Sequence, residues 1–393
     1  MRCRTYRFRL HPTSRQCVAL ERELRLQREI YNAALEERIG AWRKGRSVTY
    51  VDQCRELTQL RDDRPDVLAC GVTLCRGTLK RLDRAYAAFF RRVKRGETPG
   101  FPRFQGAGRF TSLAWEDTSG WKVKYAGRRL RLLGIGEVKV NFHRPLRGTP
   151  KAITVKREGK KWWLSVRCGD VPAAPLPATG CNVGIDLGVA NLVALSTGER
   201  VVGPRFAQRV QGRLTLAQQE LARCQRNSVR RVRQREVVAS LHRKVANQRS
   251  DAAHQLSRRL VNEYDLIVLE DLKVAQMSRR PKPKSDPMQP GAFLANGAAA
   301  KAGLNRSILD AGWGSLAALL SYKAEEAGRT VVLVSPHYTS QTCAECGHVD
   351  AGNRVSQAVF RCLLCGHGAH ADVNAACNIL RAGRAQRALV RAG

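Results

Sequence analysis

YDLIVLEDL, Tyr264 to Leu272, contains an apolar run, Leu266 to Leu269, that stops at two adjacent acids, Glu270 and Asp271. A run of about four to eight apolar residues between polar flanks reads as a buried strand. A strand that ends where charge begins needs no functional account, and Asp271 reads as a cap for a following helix. The rest of the chain gives the carboxylate at this strand end a second meaning.

The chain has 393 residues, enough for two or three domains, and 43% of them are hydrophobic, enough for packed cores. It carries 69 Lys and Arg against 33 Asp and Glu, a formal net charge of +36. That balance argues for a polyanionic partner, nucleic acid first of all. Binding would then weaken steeply with salt as counterions are released. The excess is not a tail: residues 1–180 carry 39 basic and 17 acidic side chains, and residues 181–393 carry 30 and 16. Solubility or a membrane-surface face would also use positive charge. Here, however, Arg dominates and is interleaved with Trp, Tyr and Phe, which suits phosphates and bases. No segment approaches the ~20 apolar residues that span a bilayer, and MRCRTYRFRLHPT has no apolar signal core. The expectation is a cytoplasmic, nucleoid-associated protein with no membrane partner. Its 13 cysteines are then not a disulfide framework.

Residues 2–10, RCRTYRFRL, alternate basic residues with Tyr6, Phe8 and Leu10, a strand with one apolar and one cationic face. Helical spacing follows over 15–43 and again over about 67–95, where Leu79, Leu82, Tyr86, Phe89, Phe90 and Val93 share a stripe. On that second helix Arg76, Lys80 and Arg84 stand at i, i+4 spacing. They are candidate nucleic-acid contacts or a solvated stripe. GETPGFPRF, Gly96 to Phe104, is a break. From about 108 to 170 short period-two segments and Gly turns predict a small β-barrel or sandwich. Strand 2–10 is available to close it, which would make the helices an insertion. VPAAPLPATG, Val171 to Gly180, reads as a linker. Beyond it lie a strand–turn–strand at 181–202 and long-helix material over 205–261, with 14 Lys or Arg and only Glu220, Glu236 and Asp251 as acids. Then come the 264–272 strand, a mobile loop over Met277–Pro290, a helix over 303–327 and the strand VVLVS. Strands alternating with helices predict an α/β domain.

CAEC at 343–346 and CLLC at 362–365 are fifteen residues apart, with a Gly after each pair. This is the spacing of a four-thiolate zinc ribbon, so Cys343, Cys346, Cys362 and Cys365 are candidate ligands of one structural Zn2+. The other nine cysteines read as buried small hydrophobes. Two more acids accompany Glu270. GIDLG places Asp186 inside an apolar strand between Gly184 and Gly188, where glycine lets a backbone or phosphate come close. HADVNAACNI places Asp372 at the start of a helix. Mg2+ takes carboxylate and phosphate oxygens. Two such ions can activate water and stabilise the leaving oxygen of a phosphodiester. Asp186, Glu270 and Asp372 are the candidates for that cage.

GIDLGVANLVALS, IVLEDL, SQTCAECG, FRCLLCGH and HADVNAACNI, in that order, resemble the transposon-encoded TnpB family. LNRSILDAGWGSLAALLSYKAEEAG and RLDRAYAAFFRRVKRGETPGFPRF also resemble it, so the likeness runs along nearly the whole chain. It implies a multidomain α+β protein: an N-terminal wedge β-barrel over 1–15 and 98–178 with a helical recognition insert over 16–97. A C-terminal RNase H-like (RuvC) α/β nuclease over 179–338 and 369–393 would carry an inserted zinc ribbon over 339–368, binding target nucleic acid. It implies an RNA-guided DNA endonuclease related to miniature type V CRISPR effectors, with catalytic metal on Asp186, Glu270 and Asp372 and zinc on the four cysteines. The partners implied are one guide RNA per monomer and double-stranded target DNA.

Two rival readings use the same residues. One is an RNA-guided or zinc-ribbon DNA-binding regulator that does not cut, for which three intact acids are superfluous. The other is a protein-directed transposase or resolvase-like nuclease that cuts without RNA, often as a symmetric dimer.

Overall fold

RTYRFRLH forms β1 (Arg4–His11), with Tyr6, Phe8 and Leu10 buried and the residues between them turned outward. The computed structural model describes residues 2–289 and 291–392 and divides into two units, Met1–Pro172 and Ala173–Gly393. Met1, Pro290 and Gly393, which fall within the segments delimited above, lie outside the described residues.

In the first unit β1 leads into four helices: α1 (Ser14–Arg43), α2 (Tyr50–Asp63), α3 (Pro65–Cys70) and α4 (Val72–Lys94). Six strands follow: β2 (Ser112–Trp115), β3 (Trp121–Lys124), β4 (Arg129–Leu132), β5 (Gly136–Asn141), β6 (Thr149–Glu158) and β7 (Lys161–Gly169). They make one curled antiparallel sheet in the order β2-β6-β7-β1-β5-β4-β3. Because β1 pairs with both β7 and β5, the four helices are inserted between the first strand and the remainder of its own sheet. Leu113, Leu130, Val138, Leu164 and Val166 on the sheet share one core with Leu20, Leu74, Leu79 and Leu82 of α1 and α4. The single helix expected over about 67–95 is two, because Gly71 takes a left-handed φ of 83° between α3 and α4. The unanticipated α2 starts on a reciprocal capping box between Thr49 and Asp52.

The second unit contains β8 (Asn182–Asp186), β9 (Asn191–Leu195), β10 (Arg200–Val202), α5 (Phe206–Arg223), α6 (Val229–Glu263), β11 (Leu266–Glu270) and α7 (Val274–Met277). It continues with β12 (Lys284–Ser285), β13 (Phe293–Leu294), α8 (Ala298–Ala311), α9 (Trp313–Ala327), β14 (Thr330–Val334), β15 (Val359–Arg361), β16 (Gly368–His370) and α10 (Ala371–Ala392). The central sheet has the order β10-β9-β8-β11-β14, with β8, β11 and β14 parallel, β9 antiparallel to β8, and β10 antiparallel to β9 and so parallel to the other three. Counted from β8 along the chain this is a 3-2-1-4-5 sheet, the RNase H-like order. Leu266–Leu269 is buried throughout, as a strand covered on both faces must be. Ile267 and Leu269 pack with α6 and α9, and Leu266 and Val268 pack with Ile379 of α10. The helical stretch over 205–261 breaks between α5 and α6, and that over 303–327 breaks at Gly312, φ 69°. The loop expected over 277–290 contains β12, which pairs with β13 just beyond it. Among the described residues no helix is long and apolar enough to cross a membrane.

Two glycines let α10 lie on this sheet. A Cβ on Gly184 would sit 2.1 Å from the carbonyl oxygen of Ala376 and 2.6 Å from the Leu380 nitrogen. A Cβ on Gly383 would sit 2.4 Å from the Val268 side chain. Gly184→Ala is therefore predicted to lift α10 off the sheet and cost about 1–3 kcal/mol, the usual range for overpacking. Thermal melting of the purified variant checks this, and an unchanged melting curve would contradict the close contact.

Candidate active site and four-cysteine centre

Register brings two of the acids together. Leu269 pairs with Ile185 across the parallel β8–β11 ladder, so Glu270 and Asp186 follow side by side at the C-terminal edge. Adjacent strands lie about 4.8 Å apart. Alternation puts Asp186 on the face of Gly184 and Glu270 on the face of Val268, the face that α10 covers. Asp186 lies two residues, about 6.6 Å, beyond Gly184 along the strand. Asp372 lies four residues, about 6 Å, before Ala376 along the helix. The Gly184–Ala376 contact thus sets Asp372, in the first turn of α10, at the level of the two strand-end acids.

The electrostatics agree with that placement. Burial, then the charges of Glu270 and Asp372, push the Asp186 carboxyl up to about 7, with Arg354 opposing. Burial also raises Glu270, opposed by the Thr339 hydroxyl, which donates to Oε1 at 2.6 Å. Asn191 Nδ2 donates to Asp372 Oδ2 at 2.9 Å, and an Arg354 guanidinium nitrogen stands 3.8 Å from Asp372 Oδ1. Three acids face one space with one guanidinium beside them. A divalent cation relieves that repulsion, and the donors are all hard oxygens of the kind magnesium accepts. In donor chemistry the three carboxylates suit such an ion.

Thr339 and Arg354 come from the cysteine module, and Asn191 from β9. None was singled out in the sequence, where nothing in GNRVS or GVANL ties these residues to an acid far along the chain. Asp271 caps no helix. Its carboxylate meets Lys273 Nζ at 2.5 Å, its N–H donates to Val334 O, and α7 begins without a side-chain cap. Gly188 serves the tight turn into β9, where a Cβ would meet Asn191 O at 2.7 Å. The indole of Trp313 donates to the Gly188 carbonyl at 3.2 Å and holds that turn down.

The four ribbon cysteines converge, with their sulfurs all within 4.8 Å of one another. Cys343 Sγ lies 3.7 Å from Cys365 Sγ, and Cys346 Sγ 3.6 Å from Cys362 Sγ. A tetrahedron with zinc–sulfur bonds of about 2.3 Å has edges of about 3.8 Å, and a disulfide is far shorter. The two knuckles repeat one pattern. Cys343 N–H donates to His348 O and Gly347 N–H to Cys343 O; Cys362 N–H donates to His367 O and Gly366 N–H to Cys362 O. Both glycines take the left-handed φ these turns need, 79° and 73°. Backbone N–H groups of Cys365 and Leu364 hold the Cys362 thiol down at about 6, favouring the thiolate a metal requires. The cluster fits a structural zinc site. Of the other nine cysteines only Cys70, Cys75 and Cys168 are buried, and Cys3 and Cys181 are exposed. Their small size does not by itself carry them into the core.

The ribbon is tied to α10 by a polar row. Asn374 Oδ1 accepts from Ala344 N–H and Asn374 Nδ2 donates to Thr342 O. Asn378 Nδ2 donates to Thr339 O and Thr342 O, and Arg381 donates to Ala344 O. One helix therefore carries both an acid of the site and the mount of the ribbon.

In the first unit Arg76 is exposed on α4. Lys80 spends its charge on Asp83 at 2.9 Å, and Arg84 forms a two-pronged pair with Glu116 at 2.7 and 2.9 Å.

Together these features define an RNase H-like α/β unit with an inserted four-cysteine ribbon, in a chain with a helix-inserted antiparallel sheet. Residues 163–280 match a family model described as "Probable transposase", residues 313–379 one described as "Cas12f1-like, TNB domain", and residues 1–47 one described as "Helix-turn-helix domain". The chain is 34% identical to the Escherichia coli (strain K12) protein named "Putative RNA-guided DNA endonuclease InsQ", over 98% of this chain and 93% of that one. It is 33% identical to a "Putative RNA-guided DNA endonuclease" of Streptomyces pristinaespiralis, over 98% of this chain and 90% of that one. The mini-RNA-guided endonuclease CRISPR-Cas phi3 superposes with a TM-score of 0.52 at 10% identity, over 97% of this chain and 92% of that one, a likeness of fold. The chain belongs to the TnpB family.

Two outcomes are predicted. Purified protein should hold one zinc per chain by native mass spectrometry, and Cys346→Ser should lose it and melt lower. A zinc-free, equally stable protein would contradict the ribbon. For Asp186 the folded value, about 7, lies above the ordinary 3.8. Folding stability is thus lost as pH rises from about 4 to 7, by on the order of a few kcal/mol. In metal-free buffer Asp186→Asn should therefore melt above wild type at pH 8 and converge with it toward pH 4. Equal melting at pH 8 would contradict the crowding of the three acids.

Proposed function

We propose that this chain is a transposon-encoded, RNA-guided DNA endonuclease that cuts target DNA beside a short motif by metal-dependent phosphodiester hydrolysis. The observation that carries the chemistry is the convergence of Asp186, Glu270 and Asp372 on one face of an RNase H-like sheet. The names of the relatives that align over nearly the full chain support the guided part.

Asp186, Glu270 and Asp372 would hold two magnesium ions. Bound there, magnesium lowers the pKa of a coordinated water and neutralises charge on the phosphate oxygens. The chain's own residues prepare that site. Asp186, its carboxyl held up at about 7, would have to lose its proton to hold a cation, so binding would strengthen as pH rises through about 7. Thr339 and Asn191 fix the rotamers of Glu270 and Asp372. Arg354 is placed to meet a phosphate oxygen that enters beside Asp372. No serine or cysteine nucleophile is needed.

Recognition is assigned to the remainder: a wedge over 1–15 and 98–178, a helical insert over 16–97, and a ribbon over 339–368 inserted in a RuvC-like nuclease over 179–338 and 369–393. The sheet of the first unit supports a polyanionic partner. Lys122 stands opposite Arg131, and Lys124 and Lys139 stand on either side of Arg129 in register, all five exposed, with Glu137 across from Arg131 the one acid among them. Like charges directly across strands are destabilising until an anion bridges them. The partners proposed are one guide RNA bound to a monomer and double-stranded DNA, with base pairing supplying the sequence specificity.

The test is expression together with the flanking genomic DNA, sequencing of the RNA that co-purifies, and cleavage of a DNA duplex matched to its variable end. Wild type with magnesium should cut, and Asp186→Ala should fall to background while retaining the RNA. Cleavage by Asp186→Ala would sink the site, and cleavage surviving removal of the RNA by ribonuclease would sink the guided mechanism.

A further inference from the structure

The apolar stripe of α4 does not stop where the core stops. Leu74, Leu79 and Leu82 are buried under the sheet. The same face continues through Tyr86, Phe89, Phe90 and Val93 at i, i+3, i+4 and i+7. There Phe90 is 53% exposed. The chain turns at Gly96, φ 63°, and brings Phe101 back onto the stripe. Its ring meets Tyr86 edge-on at 5.7 Å and 86°, and Phe89 at 5.4 Å and 82°. Phe90 completes the group, 5.2 Å from Phe89. Phe101 itself is 47% exposed. Tyr86 also stacks on Phe90 at 6.2 Å and 26° and carries the Arg38 guanidinium 5.2 Å over its ring, so Tyr86 and Phe89 form the support and Phe90 and Phe101 present the exposed ring surface.

The surroundings say what that partner is. In sequence the rings are flanked by Arg91, Arg92, Lys94, Arg95, Arg103 and Arg109, with Glu97 as the one acid between residues 91 and 109. Among the described residues none of the six makes an ion pair. Exposed rings set among uncompensated cations form a site for stacked bases with a phosphate backbone beside them. A purely apolar protein partner would leave those charges unmatched.

We propose that Phe90 and Phe101, held in place by Tyr86 and Phe89, form a stacking platform for unpaired RNA bases whose phosphates lie on the flanking arginines. The inference rests on the RNA-guided reading above. RNA is chosen over DNA because a guide is single-stranded while it waits for a target, whereas DNA strands separate only after recognition.

The experiment is fluorescence anisotropy of the full-length protein, stripped of co-purified RNA. The probes are a short labelled oligoadenylate RNA, its abasic counterpart and the DNA of the same sequence, at several salt concentrations. Phe90→Ala with Phe101→Ala should weaken oligoadenylate binding about 10-fold or more. Binding to the abasic strand and the salt slope, which report phosphate contacts, should stay as in wild type. If the double variant does not fold, Phe90→Ala alone, at an exposed position, should still show a loss, and Phe90→Trp should restore binding. Equal RNA affinities for wild type and variant overturn the platform, as does a loss confined to DNA or shared equally by the abasic strand. This is separable from failure of the guided reading. A wild type that retains a discrete RNA but ignores these substitutions refutes the platform alone, and a wild type that retains no RNA refutes the reading beneath it.

Discussion

The contact between Gly184 and the backbone of α10 organises the second unit. A side chain at this point would overlap the Ala376 carbonyl, so the helix comes as near to β8 as it does only because position 184 has none. Everything functional is measured from that contact. Two residues along the strand stands Asp186, one turn back along the helix stands Asp372, and the neighbouring strand delivers Glu270 at the same height. The sheet must be parallel here for two strand ends to meet at one edge, and the βαβ crossovers through α6 and α9 supply that.

Close approach has an electrostatic consequence. Burial, then the charges of Glu270 and Asp372, raises the proton affinity of Asp186, and burial raises that of Glu270. A fold selected for stability alone would disperse them or pair each with a cation. Glu116 with Arg84 and Asp310 with Arg249 are paired in that way. The ribbon is part of the same arrangement, because it is mounted on α10 by Asn374, Asn378 and Arg381 and returns Thr339 and Arg354 to the acids. Its cysteines hold a loop whose polar side chains finish the site, and a zinc bound to them would have a positional role.

Much of this was legible in the residues. The β8 and β11 strands, the four-cysteine spacing and the acids at element ends are short-range patterns, and short-range patterns survive in a one-dimensional string. Convergence is not of that kind. That Asp186, Glu270 and Asp372 share a face follows from strand register and from two glycines pressed against α10, and no spacing in the chain encodes either. Arg354, Asn191 and Thr339 were invisible for the same reason. Helix breaks were missed where one glycine interrupts a continuous apolar stripe, at Gly71 and Gly312. The start of α2 was readable in principle, since Thr49 and Asp52 form a capping box. The cap assigned to Asp271 failed because Lys273, two residues on, was a nearer partner.

The most direct measurement of the central claim is anomalous scattering from crystals of the protein grown with Mn2+ in place of magnesium. The account predicts manganese density against Asp186, Glu270 and Asp372, lost in crystals of Asp186→Asn. Manganese absent from the three carboxylates, or seated there unchanged without Asp186, would contradict it.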